Sequence, residues 1–93
     1  MKRDRYLRSI FAIIEQLVHM ELSTQGRGVI ENYVNSAGAE DMADKARYAI
    51  FRYTQQELPS LDDIRQKNKT GHLSEMDHLI LKMEFAAKQL LEP

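Results

Sequence analysis

The feature that most constrains this chain is the apolar pattern of its first segment. Tyr6, Leu7, Ile10, Phe11, Ile13, Ile14, Leu17, Val18, Met20 and Leu22 recur at helical spacing. At about 100° per residue they cover an arc of roughly 200°. Arg5, Arg8, Glu15, Gln16 and His19 fill the opposite side. A helix with one neighbour needs a narrower stripe. The pattern therefore predicts a helix from about Arg3 to Leu22, placed at the centre of the fold or in a dimer interface. Ser23-Thr24-Gln25-Gly26-Arg27-Gly28 reads as its break.

Four further helices follow. Val29, Ile30, Tyr33, Val34 and Ala37 make a stripe over about Val29 to Ser36, with Gly38 as a left-handed terminator. The next runs from about Ala39 to Leu58, with Met42, Ala43, Ala46, Ala49, Ile50 and Tyr53 as its core stripe. Glu40, Asp41 and Asp44 suit the positive end of its dipole, and Pro59 ends it. Ser60-Leu61-Asp62-Asp63 opens a short polar helix with only Leu61 and Ile64 to bury. The last has Ser74 as N-cap, Asp77 three residues on, and a stripe of Met76, Leu79, Ile80, Met83, Ala87, Leu90 and Leu91.

No segment alternates with the period of a strand. The expectation is an all-α fold, a compact four- to five-helix single domain over 1–93, with the first helix central and the fourth peripheral. A hydrophobic share of 43% supports one core at this length.

Charge narrows the partners. Lysine and arginine nearly balance aspartate and glutamate, with a net charge of −1. A dedicated nucleic-acid binder or a membrane-surface helix carries a basic excess, and none is present overall. No apolar run approaches the length of a membrane span, and Ile10 to Ile14 is too short for a secretory core. The default location is cytoplasmic. With no cysteine, thiolate metal sites and cysteine nucleophiles are excluded.

Catalytic patterns are missing. Glu15 and His19 are i, i+4 neighbours, a weak metal pair without the His-Glu-x-x-His signature. Glu75-Met76-Asp77-His78 contains one Glu-x-x-His, whereas a di-iron bundle needs two and further glutamates. His72 and His78 share no helical face. Gly26-Arg27-Gly28 before a helix offers amides to an anion, as many loops do without a ligand. Asp62-Asp63 and Glu40-Asp41 are explained by helix starts. No enzyme, cofactor or metal is expected.

Nucleic acid is the runner-up. Lys2, Arg3, Arg5 and Arg8 make a basic N-terminal end, diluted by Asp4. Ala37-Gly38-Ala39 has the spacing of a helix-turn-helix corner, but Glu40, Asp41 and Asp44 would then meet phosphates.

The remaining clue is apolar surface off the core stripes. Tyr48 and Phe51 lie beside Arg47 and Arg52 on the third helix. Leu81 and Phe85 project opposite Met76 and Met83 on the fifth, near His78 and Lys82. Two readings compete for them, and a third, bases stacked on aromatics interleaved with arginine, lacks a basic surround. The helices are sandwiched, with both sides in the core, or these residues meet a partner. Tyr, Phe and Arg are enriched among interface hot spots. The expected function is a non-catalytic small regulatory or adaptor protein, binding a protein partner through Tyr48, Phe51, Arg52, Leu81 and Phe85. A homodimer is compatible with the wide first arc. The alternative is a small nucleic-acid-binding transcriptional regulator using Lys2, Arg3, Arg5 and Arg8. Size and composition suit a bacterial or phage accessory protein.

Overall fold

The computed structural model describes residues 2–38 and 41–91, which form five α-helices and no strand. These are α1 (Lys2–Val18), α2 (Thr24–Asn35), α3 (Met42–Thr54), α4 (Leu61–Lys69) and α5 (Glu75–Leu91). The expected all-α fold is the fold observed.

Helix α1 stops four residues before Leu22. His19 adopts a left-handed conformation, φ 56°, which ends the helix. The Leu22 amide then donates to the Glu15 carboxylate at 2.7 Å. This turn buries Leu22 but leaves Met20, expected in the apolar arc, 71% exposed.

The segment expected as a break is the start of α2. Ser23 is its N-cap: the hydroxyl accepts from the Gly26 amide at 3.0 Å, and the carbonyl accepts from Arg27 at 2.9 Å. A Cβ at Gly26 would lie 3.2 Å from the capping Ser23 hydroxyl, a tight contact, and 3.4 Å from the Tyr53 hydroxyl. Gly38 is not left-handed, and α2 closes through Ser36, whose amide reaches the Asn32 carbonyl.

The expected start of α3 at Ala39 and Glu40 lies outside the described residues. Its end comes before Pro59: Gln55 is left-handed, φ 60°, and donates to the Phe51 carbonyl at 2.7 Å. Thr54 receives the Gln56 amide at 3.2 Å. Helix α4 is capped by the Ser60 hydroxyl on the Asp63 amide and ends at left-handed Gly71. Helix α5 opens with a reciprocal cap. Asp77 N–H donates to Ser74 Oγ at 3.1 Å, and Ser74 N–H donates to the Asp77 carboxylate at 3.0 Å.

Packing follows the stripes. Helix α1 lies against α5 and α3, α2 lies on α3, and α3 also touches α5. Tyr6, Ile10, Ile13 and Ile14 are completely buried, whereas Phe11, Leu17 and Val18 on the same arc are half-buried. One hydrophobic cluster draws residues from all five helices, with Ile64 as the buried anchor of α4. Tyr6 donates from its hydroxyl to the Met42 carbonyl at 2.7 Å and so ties α1 to the start of α3.

The molecule measures 39 × 35 × 20 Å. Its short axis has room for two helix layers, with packed axes about 8–10 Å apart. A two-layer slab leaves the outer face of each helix in water. The sandwiched reading of the off-stripe aromatics therefore fails: Tyr48 is 51%, Phe51 36% and Phe85 64% exposed. Val29, Tyr53 and Leu91, expected in core stripes, are exposed too.

Candidate functional site

The outer surface of α2 and α3 carries a groove of about 400 Å³. Its floor is Ile30 and Ala49, both buried. The small side chain of Ala49 gives the groove its depth, since a longer residue would rise between the walls. The rim is Val29, Tyr33, Tyr48, Arg52 and Tyr53. Tyr33 and Tyr48 face each other across the helices, ring centroids 6.1 Å apart and tilted by 35°. The Lys45 ammonium lies 4.6 Å from the Tyr33 ring centre, a cation–π contact at the edge of the rim.

Tyr48 also borders a second hollow with Arg47, Phe51, Glu57 and Leu58. The expected partner residues Tyr48, Phe51 and Arg52 thus share one face. Leu81 and Phe85 do not join them. Both line a separate hollow with Leu61, Arg65, Glu84 and Lys88, and Leu81 is half-buried. An ion pair divides the two regions. Arg47 Nε donates to Glu84 Oε1 at 3.0 Å, and Nη1 donates to the Pro59 carbonyl at 3.0 Å. Nη2 lies 2.9 Å from the same Glu84 oxygen but is not aligned for a hydrogen bond.

The basic residues of the N-terminal end also separate. Arg3 donates to the Asn35 side chain at 2.7 Å, at the end of α2. Lys2 is exposed. Arg5 and Arg8 turn the other way and line a hollow with Ser9, Lys82, Phe85, Ala86 and Gln89. The fold therefore brings Phe85 to Arg5 and Arg8. Ala39, in the corner expected to resemble a helix-turn-helix, lies outside the described residues.

The remaining candidates are engaged elsewhere. The amides of Gly26 and Arg27 are consumed by the Ser23 cap. The Arg27 guanidinium pairs with Glu15 at 3.3 Å and lies over the Phe11 ring. Glu15 already holds the Leu22 amide. Among the described residues no three of His, Asp or Glu are grouped to hold a metal ion. No helix of the described residues is long and apolar enough to cross a membrane.

Among the described residues two ionisable groups are shifted, and both are structural. Burial, reinforced by the nearby Glu84 carboxylate, pushes the Tyr6 phenol well above its ordinary range, with Arg47 opposing. The Ser74 amide bond holds the Asp77 carboxyl below its ordinary range. Burial opposes this, while the Ser74 hydroxyl and Lys67, 3.6 Å away, add to it.

Sequence reasoning missed Val29 and Tyr53 as surface residues because each falls on an apolar stripe, and it missed half-buried Tyr33, which does pack on the core, as a wall of the groove. The signal available was chemical: a tyrosine on a stripe can keep its hydroxyl in water at the rim of a groove. No family model matches this chain, and neither a curated protein nor a solved structure matches it.

Proposed function

We propose that this chain is a non-catalytic adaptor or regulatory protein that binds a protein partner in the α2–α3 groove. The observation that carries this reading is the clustering of Val29, Tyr48 and Tyr53 around a preformed groove, 65%, 51% and 47% exposed respectively. Contiguous exposed apolar surface of this kind marks interaction sites, and tyrosine with arginine is the usual hot-spot chemistry. A partner helix that lays an apolar stripe between these rims fits the groove. Arg52 and Lys45 beside it favour acidic flanks on that stripe.

The same charges bear on a homodimer. A twofold interface sets a patch against its own copy, so Arg52 and Lys45 of one chain would approach those of the other. A different protein with acidic flanks is the better occupant. The arc of α1, the other candidate for self-association, packs its central residues on α3 and α5 and leaves Phe11, Leu17 and Val18 half-buried.

The test is affinity capture from nuclease-treated source lysate, comparing the full chain with Tyr48→Ser/Tyr53→Ser. The expected result is a near-stoichiometric protein captured by the parent and lost with the variant, whose melting curve is unchanged. If every captured protein persists with the variant, this groove is not the binding site and the reading fails.

A further inference from the structure

We propose that the α1–α5 face around Phe85 binds single-stranded nucleic acid, with a base stacked on the Phe85 ring and phosphates held by Arg5, Arg8, Lys82 and Lys88. This site is on a different face from the α2–α3 groove and does not depend on it.

Charge placement carries the argument. Among the described residues, Arg27, Arg47, Arg65 and Lys67 are in ion pairs, Arg3 is held by Asn35, and Lys45 lies over Tyr33. The side chains of Arg5, Arg8, Lys82 and Lys88 have no such partner and are exposed. All four line the two hollows that meet at Phe85, which are about 300 and 310 Å³. Arg52 and Lys69 are likewise exposed without such a partner but line neither hollow, so this face holds four of the exposed cations left without one in a chain of net charge −1. Among the described residues that line those hollows, the one carboxylate, Glu84, is held by Arg47.

Phe85 chooses among anionic partners. It is 64% exposed and stands between the hollows rather than within a recess. The Arg5–Arg8 hollow has Phe85 and Ala86 as its apolar lining, and the adjoining hollow adds Leu61 and Leu81, so an acidic peptide is the competitor that the experiment must separate. A flat ring flanked by cations suits a flat base flanked by phosphates. The bases of a duplex are already stacked and cannot use it.

The experiment is fluorescence anisotropy with labelled oligo-dT and oligo-rU of about 15 nucleotides, within the usual single-strand site sizes. At about 50 mM salt, binding is expected in the micromolar to 100 micromolar range typical of electrostatic association. Affinity should fall about 50-fold on raising salt to about 200 mM, because four phosphates on a single strand give a log–log slope of about −3. Phe85→Ala should weaken binding at least about fivefold, the lower end of one lost stack, without changing the slope. Arg5→Gln/Arg8→Gln should roughly halve the slope, and Arg52→Gln on the other face should change nothing. Circular dichroism checks that each variant remains folded. Failure of both oligonucleotides to bind overturns the proposal, as does a folded Phe85→Ala that binds like the parent. Equal or better competition by poly-glutamate or by phosphatidylserine vesicles also overturns it, in favour of an acidic peptide or a membrane surface.

Discussion

The Tyr6 hydroxyl reaches across the core to donate to the Met42 carbonyl at 2.7 Å, joining the first turns of α1 to the first turn of α3. The ring has no solvent exposure, and Arg47 and Glu84 act on its hydroxyl electrostatically. Removing only the hydroxyl in Tyr6→Phe should cost about 1 kcal/mol, the usual net worth of such a bond. The raised pKa adds a pH signature. Its stabilising contribution is complete below the unfolded tyrosine pKa of about 10 and is lost as pH rises above it. Chemical denaturation at neutral and alkaline pH should show the parent losing stability above pH ~10, and Tyr6→Phe losing less. Equal losses in both chains would contradict the burial of this phenol.

Arg47 joins three parts of the fold at once: α3, the Glu84 carboxylate of α5, and the Pro59 carbonyl before α4. Both side chains are mostly buried, so removing the cation leaves a poorly solvated carboxylate and a carbonyl without its donor. Arg47→Met should destabilise by about 2 kcal/mol, in the range for hydrogen bonds to charged groups. Arg47→Met with Glu84→Gln should cost less than the sum of the two single changes. Thermal unfolding of the four chains measures this. A single-variant loss below about 0.5 kcal/mol would put Arg47 with ordinary surface residues.

The Ser74–Asp77 cap makes acid stability partly local. The Asp77 carboxyl sits below its ordinary range, so its contribution is present above the unfolded aspartate pKa of about 3.9 and is lost as pH falls through the folded value. The parent should hold its stability at mildly acidic pH and lose it below pH ~4, whereas Asp77→Asn should be weaker at neutral pH and less acid-sensitive. Ser74→Ala should cost about 1 kcal/mol by removing the hydroxyl half of the cap. Denaturant titrations between neutral and strongly acidic pH would reveal the two slopes, and identical slopes would remove Asp77 from the account.

Gly28 tests the start of α2. It lies inside the helix, and a Cβ there would meet nothing within 4 Å. Gly28→Ala should therefore stabilise by about 0.4–1 kcal/mol, largely by restricting the unfolded chain. For a domain of this size that raises the melting temperature by a few degrees, at about 4–8 °C per kcal/mol. Gly71→Ala is the opposite control, because φ 76° strains any L side chain there. A melting temperature lowered by Gly28→Ala would return residues 24–28 to the loop expected from their composition.

The helical class, the number of helices and most of the core were legible in the residue pattern alone. Ile10, Ile14, Ile30, Val34, Ile50, Ile64, Ile80 and Met83 lie on stripes of helical period, and all are buried. Periodicity is a local property that one chain can display alone. Helix ends were less legible, because competing local hydrogen bonds set them. Glu15 captures Leu22, Ser23 captures Gly26 and Arg27, and left-handed His19 and Gln55 stop helices that their apolar spacing would extend. The candidate sites lay furthest beyond reach. Tyr48 and Phe85 are off-stripe in the sequence, but only the two-layer packing leaves both in water. That packing sends Tyr48 to a groove against α2 and brings Phe85 to Arg5 and Arg8, residues far apart in the chain. The pairing of α1 with α5 decided which charges gather on one face, since surface charge patterns arise from how helices are placed beside one another.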